Sequence, residues 1–116
     1  METDPFPLYH WSPTERRPRI KRYGMMPGSH SVDRAWRPPH TCWSDSPSLA
    51  WSLSGDIHRD VPSWDLWMIW SNVPKGYEVI PFDDGKPKEY RIFERIFKKN
   101  VWYVATRVVD NPKLAR

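Results

Sequence analysis

A chain of 116 residues and 13.9 kDa has room for one hydrophobic core and none for a separate regulatory domain. Hydrophobic residues make up only 39% of the sequence, yet 8 Trp, 5 Tyr and 4 Phe concentrate the apolar volume, which excludes disorder throughout. The net charge of +4 and pI near 9.4 favour anionic partners but fall short of the balance of a dedicated histone-like binder.

Residues 1–7 read as an extended lead-in carrying Pro5 and Pro7, followed by a short strand from Leu8 to Trp11. Ser12-Pro13-Thr14-Glu15 has the spacing of a capping box, in which a hydroxyl and a carboxylate satisfy free amides at a helix start. Pro18 fits the first turn of the helix that follows, which runs to about Tyr23 and stops at Gly24. From Gly24 to His40, Gly and Pro predict a long irregular loop. Thr41–Trp43 is a brief strand, and Ser46-Pro47 supplies an N-cap and a first helical proline. The second helix ends by Gly55, with Leu49, Ala50 and Leu53 facing inward.

A second loop contains His58, Asp60 and Pro62. The run from Trp64 to Val73 is apolar at both alternating positions, so it predicts a central strand covered on two sides. Tyr77–Phe82 and Glu89–Ile96 read as strands joined through the turn-forming Asp83-Asp84-Gly85. Val101 to Val109 is the last strand, and a polar tail occupies 110–116. The sum is one α+β domain over 1–116, with about six strands and two short helices.

No run approaches the roughly 18 apolar residues of a membrane span, and the acidic N-terminus does not resemble a signal peptide, so no membrane partner is expected. Cys42, the sole cysteine, has no intrachain disulfide partner, which fits a reducing cytoplasm. His30, His40, Cys42 and His58 match no recurring zinc spacing, and no metal is expected. Positive charge is concentrated at Arg16, Arg17, Arg19, Lys21 and Arg22 and again at Arg91, Arg95, Lys98 and Lys99. Such runs are solvated faces or phosphate contacts.

Three short stretches carry a family likeness: Tyr9-His10-Trp11-Ser12, Cys42-Trp43-Ser44-Asp45-Ser46-Pro47 and Glu89-Tyr90-Arg91-Ile92. In this order they resemble the ADP-ribosyltransferase-like fold over roughly Leu8 to Arg107, in particular its small bacterial and phage-encoded members. The resemblance implies split antiparallel β-sheets, NAD as the cofactor, and a host protein or nucleic acid in the host cytoplasm as acceptor. It also implies that Glu89 is the catalytic carboxylate and that His10 holds a ribose, the two lying on adjacent strands over one pocket. Tyr9, Ser12, Trp43, Ser44 and Arg91 fall at cofactor-binding positions, although the family's usual tyrosine is absent near Trp43 and Ser44. Arg16, Arg17, Arg19 and Arg22 are then candidates for phosphate or nucleic-acid contacts.

The chemistry gives these residue types a purpose. Cleaving nicotinamide from ribose develops positive charge on the sugar, and a carboxylate bonded to the ribose hydroxyls stabilises it. Transfer of an RNA 2'-phosphate to NAD, within the same fold class, would rely on arginines instead. The alternative from another class is a catalytically inactive member, or an aromatic-rich basic module that inhibits a host protein or binds nucleic acid.

Overall fold

The computed structural model describes residues 4–27, 39–54 and 61–109. His30, His58, Asp60, most of the loop expected after Gly24 and the tail from 110 lie outside the described residues. Two antiparallel sheets of three strands and two short α-helices make up the rest, an α+β arrangement.

The first sheet places β3 (Ser63–Trp70) between β1 (Pro7–Pro13) and β6 (Trp102–Val108). Its central strand is covered as its composition predicts: Trp64 and Leu66 pack into one core cluster, Trp67 and Ile69 into the other. The ladder between β3 and β6 shifts register between Leu66 and Trp67, where Val104 is the extra residue. The second sheet places β5 (Pro87–Ile92) between β2 (Thr41–Trp43) and β4 (Glu78–Pro81). Both β4 and β5 are shorter than the apolar pattern suggests.

The sheets meet where β1 passes β2. A single bridge joins them there, with the Tyr9 amide donating to the Ser44 carbonyl at 2.7 Å and the Ser44 amide to the Tyr9 carbonyl at 3.0 Å. Side chains complete the joint: Leu8, Trp67 and Ile69 from the first sheet share one core with Trp43, Tyr90 and Ile92 from the second. The other core, Trp11, Ala50, Trp64 and Leu66, lies under α2 (Pro47–Ser54). Ser46 caps that helix as expected, its hydroxyl accepting from the Leu49 amide at 3.1 Å.

The first helix begins differently from the expected capping box. Ser12 is a buried residue of β1, and a 3₁₀ turn at Thr14–Arg16 precedes α1 (Arg17–Tyr23) with no side-chain cap. Asp65 anchors this segment instead. Its buried carboxylate accepts from Arg17 Nε and Nη2 at 2.7 and 2.8 Å, Thr14 Oγ1 at 3.0 Å and Thr106 Oγ1 at 2.8 Å. Pro18 falls in the first turn of α1, where its missing amide costs nothing. Gly24 ends the helix at φ 83°, with its amide bonded to the Ile20 carbonyl at 2.7 Å. A Cβ there would sit 2.8 Å from Lys98 N, so glycine also permits the close approach of the short 3₁₀ turn Lys98–Asn100.

Candidate functional site

Strand alternation sorts the residues of β2 and β5. Cys42 lies opposite Arg91 and Trp43 opposite Tyr90, so Thr41, Trp43, Tyr90 and Ile92 face the core. His40, Cys42, Glu89 and Arg91 share the other face. Glu89 is buried there and accepts from Arg91 Nε at 3.0 Å, with a further hydrogen bond from the Cys42 side chain. Burial alone would push the Glu89 carboxyl up; Arg91, Cys42 and the charge of His40 outweigh it and hold the group below the ordinary carboxylate range. The same ion pair holds the Arg91 guanidinium above its ordinary value against the opposing effect of burial.

His10 reaches this residue pair from the first sheet. Its Nδ1 lies 2.7 Å from the carbonyl oxygen of Cys42, and its ring stands 5.3 Å from that of Trp43 at a tilt of 41°. A carbonyl only accepts, so Nδ1 carries the proton and Nε2 presents a lone pair. Burial lowers the His10 pKa, Arg16 adds to that, and the Cys42 carbonyl opposes it. The imidazole is therefore neutral at pH 7. His10 and Glu89 are not on adjacent strands, because β2 lies between β1 and β5. Both are nevertheless held to one residue, His10 through the backbone carbonyl of Cys42 and Glu89 through its side chain.

Other residues singled out by sequence fall elsewhere. Trp43 is fully enclosed in the shared core with Nε1 donating to Thr41 Oγ1 at 2.7 Å, so its ring offers no face to a ligand. Ser12 and Ser44 are buried as well, and the Ser44 hydroxyl finds no partner among the described residues. Tyr9 is half-buried against the core under α2. Arg17 is committed to Asp65, whereas Arg16 at the end of the 3₁₀ turn and Arg19 and Arg22 on α1 are exposed. Glu94, an acid that also lies near the end of β5, accepts from the Lys75 backbone amide at 2.7 Å.

Two features are not legible in the sequence. Asp65 is one polar residue in an apolar strand, and only its long-range partners reveal its role. His40 stands near Cys42 in sequence but far from Glu89. The His-x-Cys spacing puts both side chains on one strand face, yet the pairing of β2 with β5 is what adds the carboxylate.

No protein-family model, curated protein or solved structure matches the chain.

Proposed function

We propose that the chain transfers ADP-ribose from NAD to a macromolecular acceptor. The observation that carries this reading is the convergence of His10 and Glu89 on Cys42 at the line where the two sheets part. Glu89 supplies the negative charge that stabilises positive charge developing on the nicotinamide ribose, and Arg91 orients that carboxylate. His10 accepts a hydrogen bond from a hydroxyl of the other ribose through Nε2, its tautomer fixed by the Cys42 carbonyl. Neither Trp43, which is enclosed, nor Tyr9, which packs against the core under α2 on the face of β1 opposite His10, is placed to flank the nicotinamide. Labelled NAD, incubated with candidate proteins and nucleic acids, tests the reaction directly.

A binding measurement tests the same reading without an acceptor. NAD at a hundred times its dissociation constant is expected to stabilise the native state by about 2.7 kcal/mol, a rise in melting temperature on the order of 10 °C. Flat titrations with NAD, nicotinamide and ADP-ribose would remove this reading.

A specific surface favours the second reading, a basic module for single-stranded nucleic acid. The two charge runs meet through the Met25–Ile96 bridge and through Arg95, whose Nε and Nη2 donate to the Tyr23 carbonyl at 2.9 and 2.6 Å. Arg16, Arg19, Lys21, Arg22, Lys98 and Lys99 of these runs are exposed, and Arg22 and Arg95 lie over the rings of Tyr23 and Phe97, themselves 45% and 56% exposed. Cations neutralise phosphates and exposed rings stack bases. The double substitution Arg19→Glu and Arg22→Glu is expected to weaken retention of an oligonucleotide at least ~10-fold and flatten its salt dependence, read by fluorescence anisotropy. Undiminished retention would remove the second reading.

A further inference from the structure

We propose that His40, Cys42 and Glu89 form a binding site for a divalent ion of the zinc class. One nitrogen of His40, the sulfur of Cys42 and a carboxylate oxygen of Glu89 all lie within 4.8 Å of one another. The placement follows from the ladder: His40 and Cys42 are two apart on one face of β2, and Glu89 is on the same face of the neighbouring strand.

The donor set selects the ion. Zinc takes imidazole nitrogen at about 2.0–2.1 Å, thiolate sulfur at about 2.3 Å and carboxylate oxygen at about 2.0–2.2 Å, whereas magnesium and calcium prefer all-oxygen shells. Tetrahedral coordination at those lengths separates donors by roughly 3.5 Å, so the cluster must contract by about 1 Å. Rotation of two half-buried side chains, His40 and Cys42, supplies such a shift while the backbone ladder stays in place. Three protein ligands leave a fourth position for water, the pattern of an open zinc site.

Arg91 is the opposing influence, because its guanidinium already binds Glu89 Oε1 at 3.0 Å. The carboxylate has a second oxygen for the metal, and Arg91 then becomes the outer partner that fixes the carboxylate's orientation. Binding replaces the hydrogen bond between Cys42 and Glu89 with two metal–ligand bonds. Cys42 enters as thiolate, so one proton leaves its sulfur for solvent for each ion bound. The site does not depend on the NAD reading, but the two share Glu89: an ion on that carboxylate competes with a ribose hydroxyl for it.

Titration of the full chain with Co²⁺, in buffer free of chelators and NAD, tests the site. The expected result is one Co²⁺ per chain with a near-ultraviolet thiolate-to-cobalt charge-transfer band and intense four-coordinate visible bands, both removed by Zn²⁺. Cys42→Ser is expected to abolish the charge-transfer band. His40→Ala and Glu89→Gln are each expected to weaken Zn²⁺ affinity at least ~10-fold, the low end of what loss of even an outer partner costs. Circular dichroism of each variant separates loss of a ligand from loss of the fold, and His40→Ala, at a half-buried position, serves if Cys42→Ser does not fold. Absence of the charge-transfer band at saturating Co²⁺ overturns the proposal. So does a band indifferent to both His40→Ala and Glu89→Gln.

Discussion

Glu89→Gln is expected to lower ADP-ribosyl transfer at least ~100-fold while leaving NAD affinity within a few-fold of wild type. The substitution keeps the shape of the side chain and one acceptor oxygen for Arg91 Nε, but removes the charge that favours the transition state over bound NAD. Because Glu89 and Arg91 are both largely buried, with side-chain exposures of 10% and 13%, the variant also leaves a cation without its counter-charge. Melting temperature must therefore be measured beside the rate, so that lost chemistry is not confused with lost protein. His10→Ala separates the roles further: its partner is the ribose remote from the breaking bond, so NAD affinity falls more than the rate at saturation. If wild type transfers ADP-ribose and Glu89→Gln does so equally well, Glu89 is a structural strand residue.

The second large effect falls on stability. Asp65→Ala is expected to cost about 2 kcal/mol, because it removes a buried carboxylate that accepts four hydrogen bonds, while Arg17 and Thr106, partly exposed, can turn to water. Thr14 and Thr106 would lose their acceptor, and Arg17 its two bonds, so the chain from β1 into α1 would lose its anchor on β3. A denaturant midpoint close to that of wild type would show that the network contributes little. The pH dependence has a definite sign. Burial tends to raise the Asp65 carboxyl, but bonds from Arg17, Thr106 and Thr14 outweigh it and hold the group below the ordinary aspartate range. A depressed folded-state value stabilises above the unfolded-state pKa, and that contribution disappears as pH falls through the lower folded value. Wild type should thus lose more stability than Asp65→Asn on acidification below about pH 4.

Local chemistry in the sequence was sufficient wherever one segment settled its own structure. The Ser46-Pro47 helix start and the Gly24 stop appear where side-chain type and spacing place them, and the double-sided apolar run forms the central strand β3, although it ends at Trp70 and not at Val73. Ser12 shows why the capping box failed. β1 continues through Pro13, which pairs opposite Trp64, so the turn starts at Thr14 with Pro13 at its N-cap, and Ser12 stands one residue too early to cap it. Trp43 shows the same limit: alternation says which side of β2 it occupies, but not that the side is sealed by Leu8 and Trp67. Glu89 and His10 were legible as chemical types, and their relation was not. It depends on β2 lying between their strands, which takes two separate long-range pairings, Tyr9 with Ser44 and Cys42 with Arg91.

The single backbone bridge between Tyr9 and Ser44 gives the molecule an uneven response to cold. Elsewhere each sheet is held by ladders of hydrogen bonds, but among the described residues the seam between them has only that bridge and the bond from His10 to the Cys42 carbonyl beside Leu8, Trp43, Trp67, Ile69, Tyr90 and Ile92, which exclude water together. Apolar association weakens on cooling, while peptide ladders do not share that entropic origin. Chilling therefore loosens the seam before it loosens either sheet, and the amides of Tyr9 and Ser44 should be the first strand amides to lose protection against deuterium exchange.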